Sequence, residues 1–213
     1  MLRTNRSQTN RTLVLLLMAL IALVSGAVFL APRDATMGDA QRIVYVHVAV
    51  AWNALAAFVV MAATGAAYLR TRDLKWDAWM HAAAESGWLC CTLTLVSGSI
   101  WAHEAWGTWW TWDPRITTVF ILWLLYSTCL VLRGHANEEH LRARLSAVVA
   151  ILGALDVPLV AMATRWFRGM HPVAPEMEPR MLAVLLLSLL SFTLFFAVVV
   201  YCRQTILARR ITA

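Results

Sequence analysis

Charge and reactive motifs are what this sequence has least of. Only 14% of its 213 residues are charged, against about a quarter in an ordinary soluble domain. That excludes a water-soluble globule. There is no CxxC pair, and the four cysteines (Cys90, Cys91, Cys129 and Cys202) all sit within or beside apolar runs, so they read as packing residues without a thiol redox role. No Walker motif, nucleophile–base set or metal-hydrolase spacing occurs, which removes phosphate and peptide-bond chemistry. The net charge of +6 is scattered in small clusters between apolar runs, a distribution that suits membrane orientation and excludes nucleic acid as a partner.

What is abundant is apolar surface: 61% of residues are hydrophobic and the mean hydropathy is +0.65. Six segments, about 13–31, 43–69, 84–101, 116–133, 145–163 and 181–201, are long enough for helices across a ~30 Å hydrocarbon core. The expected fold is an all-α integral membrane protein, one six-helix domain over residues 1–213. The second segment is over-long and is expected to tilt or to begin above the membrane. The first outruns a signal-peptide h-region and is followed by no cleavage site, so it is expected to be retained. With the N-terminus inside, 12 of the 18 basic residues fall in inner segments, which predicts both termini in the cytoplasm.

That orientation places residues 101–117 outside, between the third and fourth spans. Trp101, Trp106, Trp109, Trp110 and Trp112 put five of the 11 tryptophans in this one stretch. Read as a short helix, Trp106, Trp109, Trp110 and Asp113 share a face at i, i+3, i+4 and i+7. Two jobs suit such a cluster: anchoring at the lipid–water boundary, or walling a flat aromatic ligand. Asp113-Pro114 is a helix-start signal, Asp as N-cap and Pro at the first helical position. Arg115 follows, where a cation meets an anionic group.

His47, near the outer end of the second span, reads either as a hydrogen-bonded core residue or as a functional intramembrane group. His171 lies in the last outer loop, and His103 within the tryptophan stretch, whereas His81, His135 and His140 fall in inner loops. Ser97, Gly98 and Ser99 read as small residues at a helix interface. Asp156, two residues before Pro158, is expected to meet an inward polar group or backbone freed by the proline. Neutral imidazole is a standard axial ligand of haem iron, and haem is flat, apolar on its faces and anionic at one edge. Without CxxCH, any haem here is held non-covalently.

Trp106-Gly-Thr-Trp-Trp-Thr-Trp-Asp113 resembles the "WWD" signature of the haem-handling proteins of cytochrome c biogenesis, and Pro114-Arg115-Ile116-Thr117 resembles its CcmC branch rather than the larger CcmF and CcsA. Arg42-Ile-Val-Tyr-Val-His47 and Arg165-Trp-Phe-Arg-Gly-Met-His171-Pro are similar to the family's two histidine segments. The resemblance implies haem b at the periplasmic face of the bacterial inner membrane, with His47 and His171 as axial ligands. Trp106, Trp109, Trp110, Trp112 and Asp113 would form one wall, and Arg42 and Arg115 would meet the propionates. It further implies delivery of haem to the chaperone CcmE in system I cytochrome c maturation, alongside the ABC-type subunits CcmA and CcmB and the small protein CcmD. Such a protein promotes covalent attachment of haem to its chaperone rather than acting as a conventional enzyme. A b-type electron-transfer protein, a haem-translocating permease and a ligand-free scaffold are the other readings.

Overall fold

The computed structural model describes residues 2–172 and 177–211. Its elements are α1 (Leu2–Leu30), a 3-10 turn (Asp39–Gln41), α2 (Arg42–Thr71), α3 (Leu74–Trp106), α4 (Pro114–His135), α5 (Glu139–Gly153), α6 (Asp156–Trp166) and α7 (Pro179–Ile211). Among the described residues the six expected spans are present as six helical rods, because α5 and α6 are two halves of one. At their junction Pro158 has no N–H to give, and the backbone tightens instead, Leu155 N bonding Leu152 O and Val157 N bonding Ala154 O, each at 3.3 Å.

Among the described residues, four of the rods are long and apolar enough on their own to cross a membrane: Asp39–Thr71, Pro114–His135, Glu139–Trp166 and Pro179–Arg209. In α1 the apolar stretch among the described side chains is Leu15–Leu30. In α3 it is the second half that is apolar, the first being diluted by Lys75, Asp77, His81 and Glu85. His81 and His140, expected in loops, lie instead within α3 and α5, and His135 ends α4, since the helices run past the apolar segments.

α2 is the central rod, packed against α3, α5 and α7. Phe58, Met61, Tyr68, Met80, Cys90, Cys91, Leu122, Tyr126 and Cys129 form the main buried cluster. Outward-facing leucines such as Leu186, Leu190 and Leu194 of α7 meet lipid instead of water. Inside this apolar bundle each polar group needs a protein partner. The Tyr126 hydroxyl donates to the Ala54 carbonyl at 2.7 Å, tying α4 to α2. Gly87 permits that approach, because a Cβ there would collide with the Tyr126 ring.

Far from the 101–112 tryptophan stretch, at the opposite end of α3, Arg133 grips Asp77 with two 2.7 Å bonds and donates to Ser146 at 3.1 Å, joining α3, α4 and α5. Nearby, Arg203 of α7 makes 2.5 and 2.7 Å bonds to Glu85 of α3. The Asp77–Arg133 pair is almost completely buried. Asp77→Ala is expected to cost about 3–5 kcal/mol because it strands the Arg133 charge, and pairing Asp77→Leu with Arg133→Met should recover most of that. Denaturation in detergent micelles measures both.

Candidate functional site

At the tryptophan end the helical reading of 106–113 is corrected. Gly107 takes a left-handed conformation (φ 70°) and its N–H bonds the His103 carbonyl at 2.9 Å, which terminates α3. Asp113 then caps a new helix, its Oδ1 accepting Arg115 N at 2.9 Å with Pro114 in the first turn. Residues 108–113 between these signals run as an irregular strap. The Ser99 hydroxyl holds it by donating to the Trp109 carbonyl at 2.6 Å.

The strap closes one side of a cavity of about 500 Å³, which is within the usual range for small-molecule and cofactor sites. His47, His171, Trp106, Trp109, Trp110 and Arg115 all line it. Most of the remaining wall is aliphatic, including Val48, Leu55, Leu95, Val119, Leu122 and Leu189. Segments of α2, α3, α4, α6 and α7 therefore converge on one predominantly apolar chamber.

The two imidazoles are held in the same chemical state. His47 Nδ1 lies 3.0 Å from Ser97 Oγ. That hydroxyl already gives its hydrogen to the Leu93 carbonyl at 2.6 Å, so it accepts from the ring and Nδ1 carries the proton. His171 Nδ1 lies 2.9 Å from the Pro172 carbonyl, which can only accept. Each ring thus keeps its Nε2 lone pair free, the arrangement found in metal-ligating histidines whose other nitrogen is anchored by a second group. Gly98 gives His47 room, since a Cβ at that position would come within 2.9 Å of its Cε1. Burial lowers the His171 pKa below its ordinary 6.5, partly offset by the bond to Pro172 and assisted by the Arg115 charge. The ring is neutral at pH 7.

Arg115 bonds Thr164 Oγ1 at 3.4 Å and has no ion-pair partner among the described residues. The indole Nε1 atoms of Trp110 and of Trp101, a further cavity-lining ring, are buried without acceptors among the described residues. An anionic group at this edge would meet a cation and two under-used donors. Trp112, 73% exposed, and Asp113 stand beside the cavity, in a shallow hollow with Arg168, Gly169 and Met170. Arg42 is not in the wall: it bonds Asp39 at 2.9 Å and the carbonyls of Val28 and Phe29, holding the end of α1. His103 stacks on Trp109 at 4.1 Å between centroids, outside the lining. Asp156 is buried with its Oδ2 unpartnered among the described residues.

Ser97 and Gly98, expected only to pack helices, are the supports of His47. Their partner is 50 residues away, and no local pattern announces such a pairing. Gly107 and Asp113-Pro114, by contrast, are local stop and start signals that outrank the helical spacing of the tryptophans.

The CcmC family model, described as heme exporter protein C, matches residues 3–213. The chain is 32% identical to a heme exporter protein C of Bradyrhizobium diazoefficiens, over 85% of this chain and 73% of that protein. It is 29% identical to the heme exporter protein C of Escherichia coli K12, over 82% and 73% respectively. A putative cytochrome c biosynthesis ccmC-like mitochondrial protein of Marchantia polymorpha is 30% identical over 68% of this chain and 61% of its own length.

Nitrogen NMR of histidine-labelled protein is expected to find His47 and His171 as Nδ1–H tautomers at pH 7. The His171 midpoint should fall below 6.5, and docking of its loop should weaken as acidification protonates the ring, because burial disfavours the cation. Ser97→Ala should release His47 into a mixture of tautomers.

Proposed function

The chain belongs to the CcmC, heme exporter protein C, family, and from that premise we propose that it binds haem b non-covalently and hands it on during cytochrome c maturation. The observation that carries the reading is the pair of neutral histidines, each with Nδ1 engaged and Nε2 free, on one apolar chamber. His47 and His171 are the axial ligands. Two imidazoles fill the coordination sphere of the iron and limit its reaction with oxygen during transfer. Trp106, Trp109 and Trp110 lie against the macrocycle, and Trp112 forms the outer rim. Arg115 meets the propionates, with the indole donors of Trp101 and Trp110 in support. Arg42 contributes by holding the turn before α2, and Asp113 by building the strap.

The two-to-one excess of basic residues in the inner segments supports a periplasmic position for this end of the bundle, in the bacterial inner membrane, with both termini cytoplasmic. The recipient is the chaperone CcmE, which takes the haem covalently. CcmA and CcmB, with CcmD, supply the ATP-driven part that this chain has no motif to perform. A b-type electron-transfer role is less well supported, since both histidines lie at the same end of the bundle.

Protein purified from haem-replete cells is expected to carry haem with a six-coordinate, low-spin spectrum. His47→Ala and His171→Ala should each lose that spectrum, and a wild type without haem would defeat the proposal. Ser97→Ala, which leaves both ligands in place, is expected to weaken haem affinity by about 10- to 100-fold in titration.

A further inference from the structure

His47 is built into a long helix, but His171 is on a loop, and among the described residues the hydrogen bonds that fasten that loop converge on one side chain. Asp113 Oδ2 accepts the backbone N–H groups of Met170 at 2.6 Å and of His171 at 3.3 Å. Among the described residues these are the hydrogen bonds that join 168–172 to another element. Asp113 is buried, and its other oxygen is committed to capping α4. Gly169 fits against it closely: a Cβ there would overlap the carboxylate.

We propose that Asp113 is a positioning residue, a latch whose carboxylate holds His171 in the site and makes that histidine the releasable ligand. The inference rests on the haem-binding reading above. One carboxylate spans the tryptophan strap and the histidine loop, so a shift of the strap is transmitted to His171 while His47 stays on its helix. Release of the latch gives a site in which one axial position opens and the other still retains the iron, the condition needed to pass haem to an incoming ligand.

Asp113→Asn tests this, because asparagine keeps the size and the N-cap but replaces one accepting oxygen with a donor. Gly169→Ala displaces the carboxylate while leaving it chemically intact. In apo full-length protein in detergent, both variants are expected to exchange the Met170 and His171 amides at least tenfold faster, with α4 protection unchanged. In haem-loaded protein, both should retain haem through His47 but shift to five-coordinate or mixed spin, and added imidazole should restore the six-coordinate spectrum. Unchanged amide exchange, or an unchanged spectrum, overturns the latch. Haem loss without imidazole rescue overturns it too, by assigning Asp113 to folding. A wild type that takes up no haem defeats the functional reading, while the exchange measurement still decides whether the carboxylate holds the loop.

Discussion

A bilayer interior supplies no water, so every polar atom inside this bundle must be satisfied by protein or by something bound. That constraint separates the two ends of the molecule. At one end Arg133 bonds both Asp77 and Ser146, and Glu85 meets Arg203, so charge is spent in joining α3 to its neighbours. At the other end, each histidine has one nitrogen anchored and one left open. Arg115 and two indole donors stand there with little or nothing to bind. Groups left incomplete around an apolar chamber are what a ligand with an apolar body, a metal centre and an anionic edge would complete.

The site is asymmetric in its construction. His47 is fixed by α2, by the Ser97 hydroxyl and by the space over Gly98. His171 sits on a loop whose hydrogen bonds to another segment, among the described residues, all go to the Asp113 carboxylate. A delivery protein needs both properties: grip sufficient to hold its cargo, and a ligand that can leave without unfolding the site. The tryptophan stretch does more than line the cavity, since its last residue before α4 also accepts hydrogen bonds from the loop of the second histidine.

Much of the architecture was legible because membrane helices obey a strong length and polarity rule, and the six apolar runs match helical rods, the first overrunning the end of α1 at Leu30 by one residue. The shared location of His47, His171 and the tryptophans was legible too, because alternation across the membrane sorts segments to one end or the other. Other features were hidden for identifiable reasons. The 106, 109, 110, 113 spacing suggested a helix face, but periodicity carries no information about a left-handed glycine, and Gly107 ends the helix one residue after Trp106. Arg42 looked free to meet an anion, yet Asp39, three residues earlier, is its partner once the 3-10 turn forms. Ser97 supporting His47 and Asp113 holding His171 are contacts across 50 and 58 residues, which depend on helix register.

His47 and His171 are proposed to ligate one iron through their free Nε2 atoms. Electron paramagnetic resonance of the oxidised, haem-loaded protein with nitrogen-15 histidine tests it most directly. Ligation by both histidines is expected to give a low-spin ferric signal coupled to two imidazole nitrogens, with one coupling lost in His47→Ala and the other in His171→Ala. A high-spin signal in the wild type, or two couplings that survive either substitution, would contradict it.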